Sequence, residues 1–397
     1  QGRQEIRWDL SVASAQPRGR VASIDALRGA VMVLMVLDHA RDFFVGFNVR
    51  PTDLAVTTPA LFFTRWVTHF CAPVFVFLAG VSAYLYGARH GKKLRSRFLL
   101  TRGLWLVVLE LTIVRFAWVP DPLYRLTLIQ VIWVIGWAMV ILAALCRLPM
   151  VATVALGGVI VIGHDALNGI HAQELGSLGW LWTLLHERGV LEPWAGHRFF
   201  ISYPLLPWIG VIALGYAFGA VFDRPPEARR RTTLRLGLAT TAAFVVLRLA
   251  NVYGDPVPWS SDGGALRALV SFLNCEKYPP SLLFLLMTLG PALCLLAVLP
   301  DESKRARVET LVTFGSVPLF FYVAHLHLLR WTSLPLGAAR WGAAAFTPPP
   351  TGHAGSPEFG LWSAYLAWAL TCMILYRPCR WFAAVKARRK DWWIGYL

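Results

Sequence analysis

Charge is scarce in this sequence, and acidic charge is the scarcer kind. Only 15% of the 397 residues are Asp, Glu, Lys or Arg and 56% are hydrophobic, where soluble domains carry roughly 25% charged residues. Such a chain would aggregate in water, which excludes a soluble globular domain, and the same hydrophobicity excludes disorder. Asp and Glu total 22 against 38 Lys and Arg, a formal net charge of +16. Nucleic-acid binding would account for the excess but not for the long apolar runs, so no nucleic-acid partner is expected. Cysteine is sparse too. Cys71, Cys146, Cys275, Cys294, Cys372 and Cys379 include no CxxC pair, so neither a zinc site nor a redox motif is indicated and no metal is expected. Most of them lie in apolar runs, where a thiol behaves as a small hydrophobe. GxSxG, P-loop, HExxH and nucleotide-binding GxGxxG patterns are missing. Hydrolase, nucleotidase and soluble dehydrogenase readings lose support accordingly.

What is present is apolar length. Ten stretches approach the roughly 20 apolar residues a crossing helix needs: 24–44, 60–87, 98–119, 123–145, 148–164, 201–222, 233–251, 280–299, 310–331 and 359–378. The fold class is therefore all-α, a polytopic integral membrane helical bundle of about ten transmembrane helices in a lipid bilayer. Eighteen Trp suit the membrane interface. Basic clusters fall in alternate connections, at 89–97, Arg229-Arg230-Arg231, Lys304-Arg305-Ala-Arg307 and Lys386-Ala-Arg388-Arg389-Lys390, while the opposite connections are poor in Lys and Arg. The positive-inside rule then places both termini in the cytoplasm and turns most of the +16 into an orientation signal, with contact to anionic lipid as an added role. Residues 1–23 read as a basic cytoplasmic tail lacking the apolar core of a cleaved signal peptide. Residues 24–378 read as the transmembrane domain and 379–397 as a second basic cytoplasmic tail. The outer segments 165–200, 252–279 and 346–358 carry Trp180, Trp182, His186, His197, Asp255, Trp259, Glu276, Lys277 and His353. Two readings are open for them: binding of a polar substrate such as a sugar, or anchoring at the interface.

Ionisable groups at membrane depth are functional-site hypotheses by default. The first stretch is richest, with Asp25, Arg28, Asp38, His39, Arg41 and Asp42. Arg28 and His39 are eleven residues apart. At 100° per residue they return to nearly one helix face, about 16 Å apart along it. An anion-binding group near the cytoplasmic surface thus lies in line with a titratable base deeper in. Asp42, three residues past His39, is in reach of its ring and would fix its tautomer. Gly29 allows a backbone or a ligand close to Arg28. The plainer alternative is an interfacial arginine and a hydrogen-bonded bundle histidine. His69 lies mid-stretch, four residues before Pro73, a helix-kinking position. His325 lies about as far from the start of its stretch as His39 does from its own, so the two imidazoles are expected at one depth. His325 and His327 point to different faces and make a poor metal pair. Glu110 and Arg248 are further buried candidates, each also readable as structural.

The ordered set Ser23-Ile-Asp25-Ala-Leu-Arg28-Gly29, Leu37-Asp38-His39, Thr68-His69-Phe-Cys-Ala-Pro73, Tyr278-Pro-Pro-Ser-Leu282 and Gly315-Ser-Val-Pro318-Leu-Phe-Phe-Tyr322-Val-Ala-His325 resembles the bacterial relatives of heparan-α-glucosaminide N-acetyltransferase. The Arg28–His39 spacing also resembles the wider transmembrane acyltransferase superfamily. The resemblance implies a multi-pass acetyltransferase of the bacterial inner membrane. It would take acetyl from cytoplasmic acetyl-CoA and pass it to an amine or hydroxyl of an amino-sugar or glycan acceptor on the outer face, with a homodimer as its assembly. One departure stands out. In the heparan enzyme the position of His39 is an Asn and a histidine follows in the next loop, whereas residues 40–68 here contain no His.

On this reading Arg28, Gly29 and His325 bind the donor, and His39, oriented by Asp42, is the general base. His69 assists catalysis, and Lys277 and Tyr278 hold the acceptor. Direct transfer is expected over an acetyl-enzyme. Competing readings are a secondary transporter of a small polar or anionic solute, a membrane protein without chemistry, and O-acylation in place of N-acetylation.

Overall fold

The computed structural model describes residues 21–46, 49–300, 302–346, 354–389, 391 and 394. Residues 1–20 of the expected N-terminal tail, His353 and parts of the C-terminal tail lie outside the described residues.

The chain is mostly helical. In order it forms α1 (Ala22–Phe44), α2 (Pro59–Thr68), α3 (Cys71–His90), α4 (Lys92–Leu109), a π-helical turn (Glu110–Val114) and α5 (Arg115–Trp118). Then come β1 (Leu126–Ile129), α6 (Val131–Leu145), α7 (Met150–Gly163), α8 (Gly179–Leu185), β2 (Gly189–Trp194) and β3 (His197–Ile201). The remainder is α9 (Leu205–Phe218), α10 (Pro226–Ala250), α11 (Ala265–Leu273), α12 (Leu282–Val298), α13 (Glu309–Ser316), α14 (Pro318–Trp341) and α15 (Leu361–Arg388). Local chemistry sets several boundaries. The Thr58 hydroxyl accepts from the Leu61 N–H with Pro59 at the first helical position, and the Ser281 hydroxyl caps α12 through the Phe284 N–H, both common N-terminal devices. Pro73 lies in the first turn of α3, after a turn at His69–Phe70. The helix is thus interrupted a few residues before the proline, whose nitrogen cannot donate.

Four helices are long and apolar enough to cross a membrane: Pro59–His90, Met150–Leu167, Leu205–Asp223 and Pro226–Ala250. A fifth crossing results if Arg305–Ser316 and Pro318–Phe346, bent by 74°, are taken together. α1 is 23 residues long but carries Asp25, Arg28, Asp38, Arg41 and Asp42. The exposed faces are those of a protein in lipid. α7 buries Thr153, Gly157 and Val161 and exposes Val151, Val159 and Ile162, the reverse of a helix in water.

α1 is central, packing against α3, α13, α14 and α15. Glycine pairs recur where helices touch: Gly29 with Gly315, Gly80 with Gly215, Gly103 with Gly136 and Gly237 with Gly290 each bring two backbones to a distance that a Cβ would block. Small residues at such contacts are how helices pack where lipid removes the hydrophobic drive.

The sequence reading needs one correction. The stretch 123–145 is helical only from Val131, and Leu126–Ile129 is a strand. It pairs in parallel with β3, which forms an antiparallel hairpin with β2, giving the order β1-β3-β2. The architecture is a helical bundle with one small sheet, and not purely α-helical.

Candidate active site

The C-terminal end of α1 opens on a cavity of about 1390 Å³. Asp38, His39, Arg41 and Asp42 line it, together with Arg65 of α2, Trp118, Tyr203, Tyr278 and Arg330 of α14. The sheet supplies one wall. Leu126 and Leu128 of β1 and Arg198 and Phe200 of β3 line the cavity and stand opposite one another in register. Side chains alternate along a strand, so one face of the sheet is presented to the cavity.

At the wall formed by α1, two imidazoles stack. The His39 and His325 rings are parallel within 6°, with centroids 5.0 Å apart. His325 Nδ1 lies 2.7 Å from the Phe321 carbonyl, one turn earlier on α14. A carbonyl only accepts, so Nδ1 carries the hydrogen. The Nε2 of a neutral His325 is then a lone pair, and it faces His39 Nδ1 at 2.7 Å. His39 Nδ1 therefore donates, which leaves the lone pair of a neutral His39 on Nε2. That atom has no hydrogen-bond partner among the described residues. Trp118 meets the His39 ring edge-on at 5.1 Å and Tyr322 does so at 6.1 Å. The ring is thus held in one tautomer and one orientation, as a general base requires.

Beside this pair stands an ion network. The Asp38 carboxylate receives Arg65 Nη1 at 2.5 Å, Arg41 Nη1 at 2.9 Å and the Thr68 hydroxyl at 2.9 Å. Arg65 Nη2 donates to the Tyr278 hydroxyl at 3.2 Å. The Lys277 ammonium lies 5.2 Å from the Tyr278 ring centre and the Arg188 guanidinium 5.1 Å from it. Burial alone would push the Tyr278 phenol up, but Lys277 and Arg65 more than offset this and bring it down to about 8.

Of the residues expected from sequence, His39, Asp42 and Tyr278 line the cavity, and His325 is bonded to His39. Asp42 does not orient His39. Its carboxylate is held by Arg41 at 2.5 Å, so His325 takes the orienting place. His69 is buried but does not line the cavity; its ring rests against Phe284 at 5.3 Å, and its Nδ1 has no partner among the described residues. Lys277 is buried behind Tyr278. Arg28 sits at the other end of α1, donating to Asp25 at 2.7 Å, to the Gly315 carbonyl at 3.1 Å and to the Ser82 hydroxyl at 3.0 Å. Gly29 is taken up by packing against the Leu311 carbonyl, which leaves no space for a ligand at its Cα. Glu110 faces the first amides of α6, and Arg248 donates to the carbonyls of Val257, Ser271, Phe272 and Asn274. Both bind backbone and look structural. Among the described residues no group of His, Cys, Asp and Glu could hold a metal ion.

Sequence reasoning missed the roles of Asp38, Arg65 and Trp118 and the sheet arginines. A carboxylate and a guanidinium both at membrane depth, Asp38 and Arg65, were a signal that each needed the other.

A family model for the catalytic part of heparan-alpha-glucosaminide N-acetyltransferase matches residues 20–250. The match takes in Arg28, His39, the Asp38–Arg65 pair and the whole sheet, and stops before Tyr278 and His325. No curated protein matches the chain. With more than half of its residues matched, over the stretch that builds most of this cavity, the chain belongs to the heparan-alpha-glucosaminide N-acetyltransferase family of membrane acetyltransferases.

Proposed function

We propose that the protein moves an acetyl group from cytoplasmic acetyl-CoA to an amine or hydroxyl of a sugar acceptor bound in the cavity, with His39 as general base. The observation that carries the reading is the hydrogen-bond chain Phe321 carbonyl–His325–His39, which leaves a lone pair on His39 Nε2 at a cavity able to admit a sugar. His39 takes the acceptor's N–H or O–H proton as the heteroatom attacks the thioester carbonyl. The C–S bond then breaks, the thiolate leaves, and the proton on His39 passes to the thiolate or to water. His325 acts as a positioning residue rather than as a donor-binding one. Tyr278, polarised by Lys277 and Arg65, offers a hydrogen bond to the acceptor or to the oxyanion. Arg28, about 16 Å down the same helix, meets the donor's phosphates from the inner face by turning from Ser82 and Gly315, together with the basic segment 89–97.

This reading includes ten membrane crossings with both termini cytoplasmic, the cavity opening on the outer face of a bacterial inner membrane, and transfer within a ternary complex. A homodimer rests on family resemblance alone. The test is single-turnover incubation of purified protein with labelled acetyl-CoA. Acetyl transfer to an amino sugar, abolished in His39→Ala, is expected. Wild-type transfer by His39→Ala would overturn the base assignment, and label trapped on protein without acceptor would overturn direct transfer.

A further inference from the structure

The sheet wall bears on what the acceptor carries. Seven arginines and four aspartates line the cavity. Each aspartate is already paired with an arginine of the same cavity. Arg188, Arg198 and Arg330 are left with no carboxylate partner among the described residues. The Arg330 guanidinium is turned onto the Ala354 carbonyl, whereas Arg188 and Arg198 are exposed on the sheet side. The Arg188 guanidinium stacks 4.8 Å from the Phe200 ring centre, which fixes its plane and leaves its N–H fork directed outward. Arg198 precedes Phe200 by two residues on β3 and shares its face. Glu276 lies within electrostatic range of Arg188, but its carboxylate accepts from the Lys277 and Tyr278 amides. Membrane orientation does not explain these cations, because on the proposed topology they stand on the face that the positive-inside rule leaves poor in basic residues.

We propose that Arg188 and Arg198 form an anion-recognising wall that selects acceptors carrying an acidic group beside the amine or hydroxyl to be acetylated. The inference rests on the acetyl-transfer reading of this cavity and specifies its substrate class: an acidic glycan, its sugar ring against Phe200 and its carboxylate or sulfate on the two guanidinium forks. Two arginines and an aromatic face suit such a ligand better than they suit a neutral sugar.

The test compares two disaccharides, an amino sugar joined to a uronic acid and the same compound with its carboxyl reduced to the alcohol. With full-length protein and acetyl-CoA, kcat/KM for the acidic acceptor is expected to exceed that for the neutral one by about tenfold or more, as charge-assisted hydrogen bonds allow. Arg188→Gln and Arg198→Gln should bring the ratio towards one, with the KM for acetyl-CoA unmoved, and Arg188→Lys should restore part of it. Equal kcat/KM for both acceptors in the wild type would overturn the proposal. So would a raised KM for acetyl-CoA in the variants, which would assign the arginines to the donor's phosphates. Equilibrium binding of the two disaccharides without acetyl-CoA separates this inference from the reading beneath it. Preferential binding of the acidic compound, lost in Arg198→Gln, would uphold the arginine wall even if no acetyl were transferred. Equal binding of the two would overturn the wall whatever the activity.

Discussion

The two ends of α1 hold their charges in different ways. At the Arg28 end two helix backbones touch through Gly29 and Gly315, and the guanidinium is shared among Asp25, Ser82 and a carbonyl. At the His39 end the helix meets a cavity, and its charges are arranged in layers: Asp38 between two arginines, then the stacked imidazoles, then open volume. One end is built as a joint, with polar groups tied down by neighbours. The other is built as a surface, with one nitrogen left available. The difference teaches that a charge at membrane depth is informative chiefly through the partner it lacks.

That contrast can be broken at either end. The largest effect is expected from His39→Ala, which should lower acetyl transfer by about 10² to 10⁴-fold, the range of a general base, measured with labelled acetyl-CoA. Asp38→Ala should cost about 3–5 kcal/mol of stability, because it leaves the Arg65 guanidinium buried without its carboxylate. Unfolding in detergent reads this directly, and a stability equal to wild type would show that Arg65 finds another partner. His325→Ala should lower transfer by about 10 to 10²-fold with the folded fraction intact, since it frees the His39 tautomer without removing the base. Gly29→Ala, at the joint, should cost about 1–3 kcal/mol by overpacking against the Leu311 carbonyl. Its activity per folded molecule tells whether that end serves packing alone. The smallest effect is a titration. With its phenol brought to about 8, Tyr278 favours the phenolate in the folded state. Its contribution to stability is fully present above the usual tyrosine range near 10 and disappears as pH falls through about 8. A phenolate absorbance step near pH 8, missing in Tyr278→Phe, checks this.

Much of the helical frame could be read from the chain, because apolar runs and basic connections are local signals. The shared depth of His39 and His325 also followed from counting residues along two helices. What was illegible depended on distant partners. β1 is four residues long and runs into an apolar helix, so nothing local separates it from that helix. Its hydrogen-bond partner lies about seventy residues further on. Asp42 was placed on His39 by the spacing rule for one helix face, but adjacent Arg41 competes for it and wins, since an opposite charge outbids a neutral ring. The exposed arginines of the hairpin gave no signal in sequence because they acquire meaning only where the sheet faces a cavity.

The π-helical turn at Glu110–Val114 has a consequence for aim. Such a turn amounts to one extra residue threaded into an α-helix, so everything after it is rotated by about 100° relative to an unbroken helix. Trp118, four residues beyond, is swung by that rotation to meet the His39 ring edge-on. Removing a single residue from the turn would turn the indole aside without altering any side chain at the cavity, so the backbone works here as a fixed sight and the tryptophan as what it is trained on.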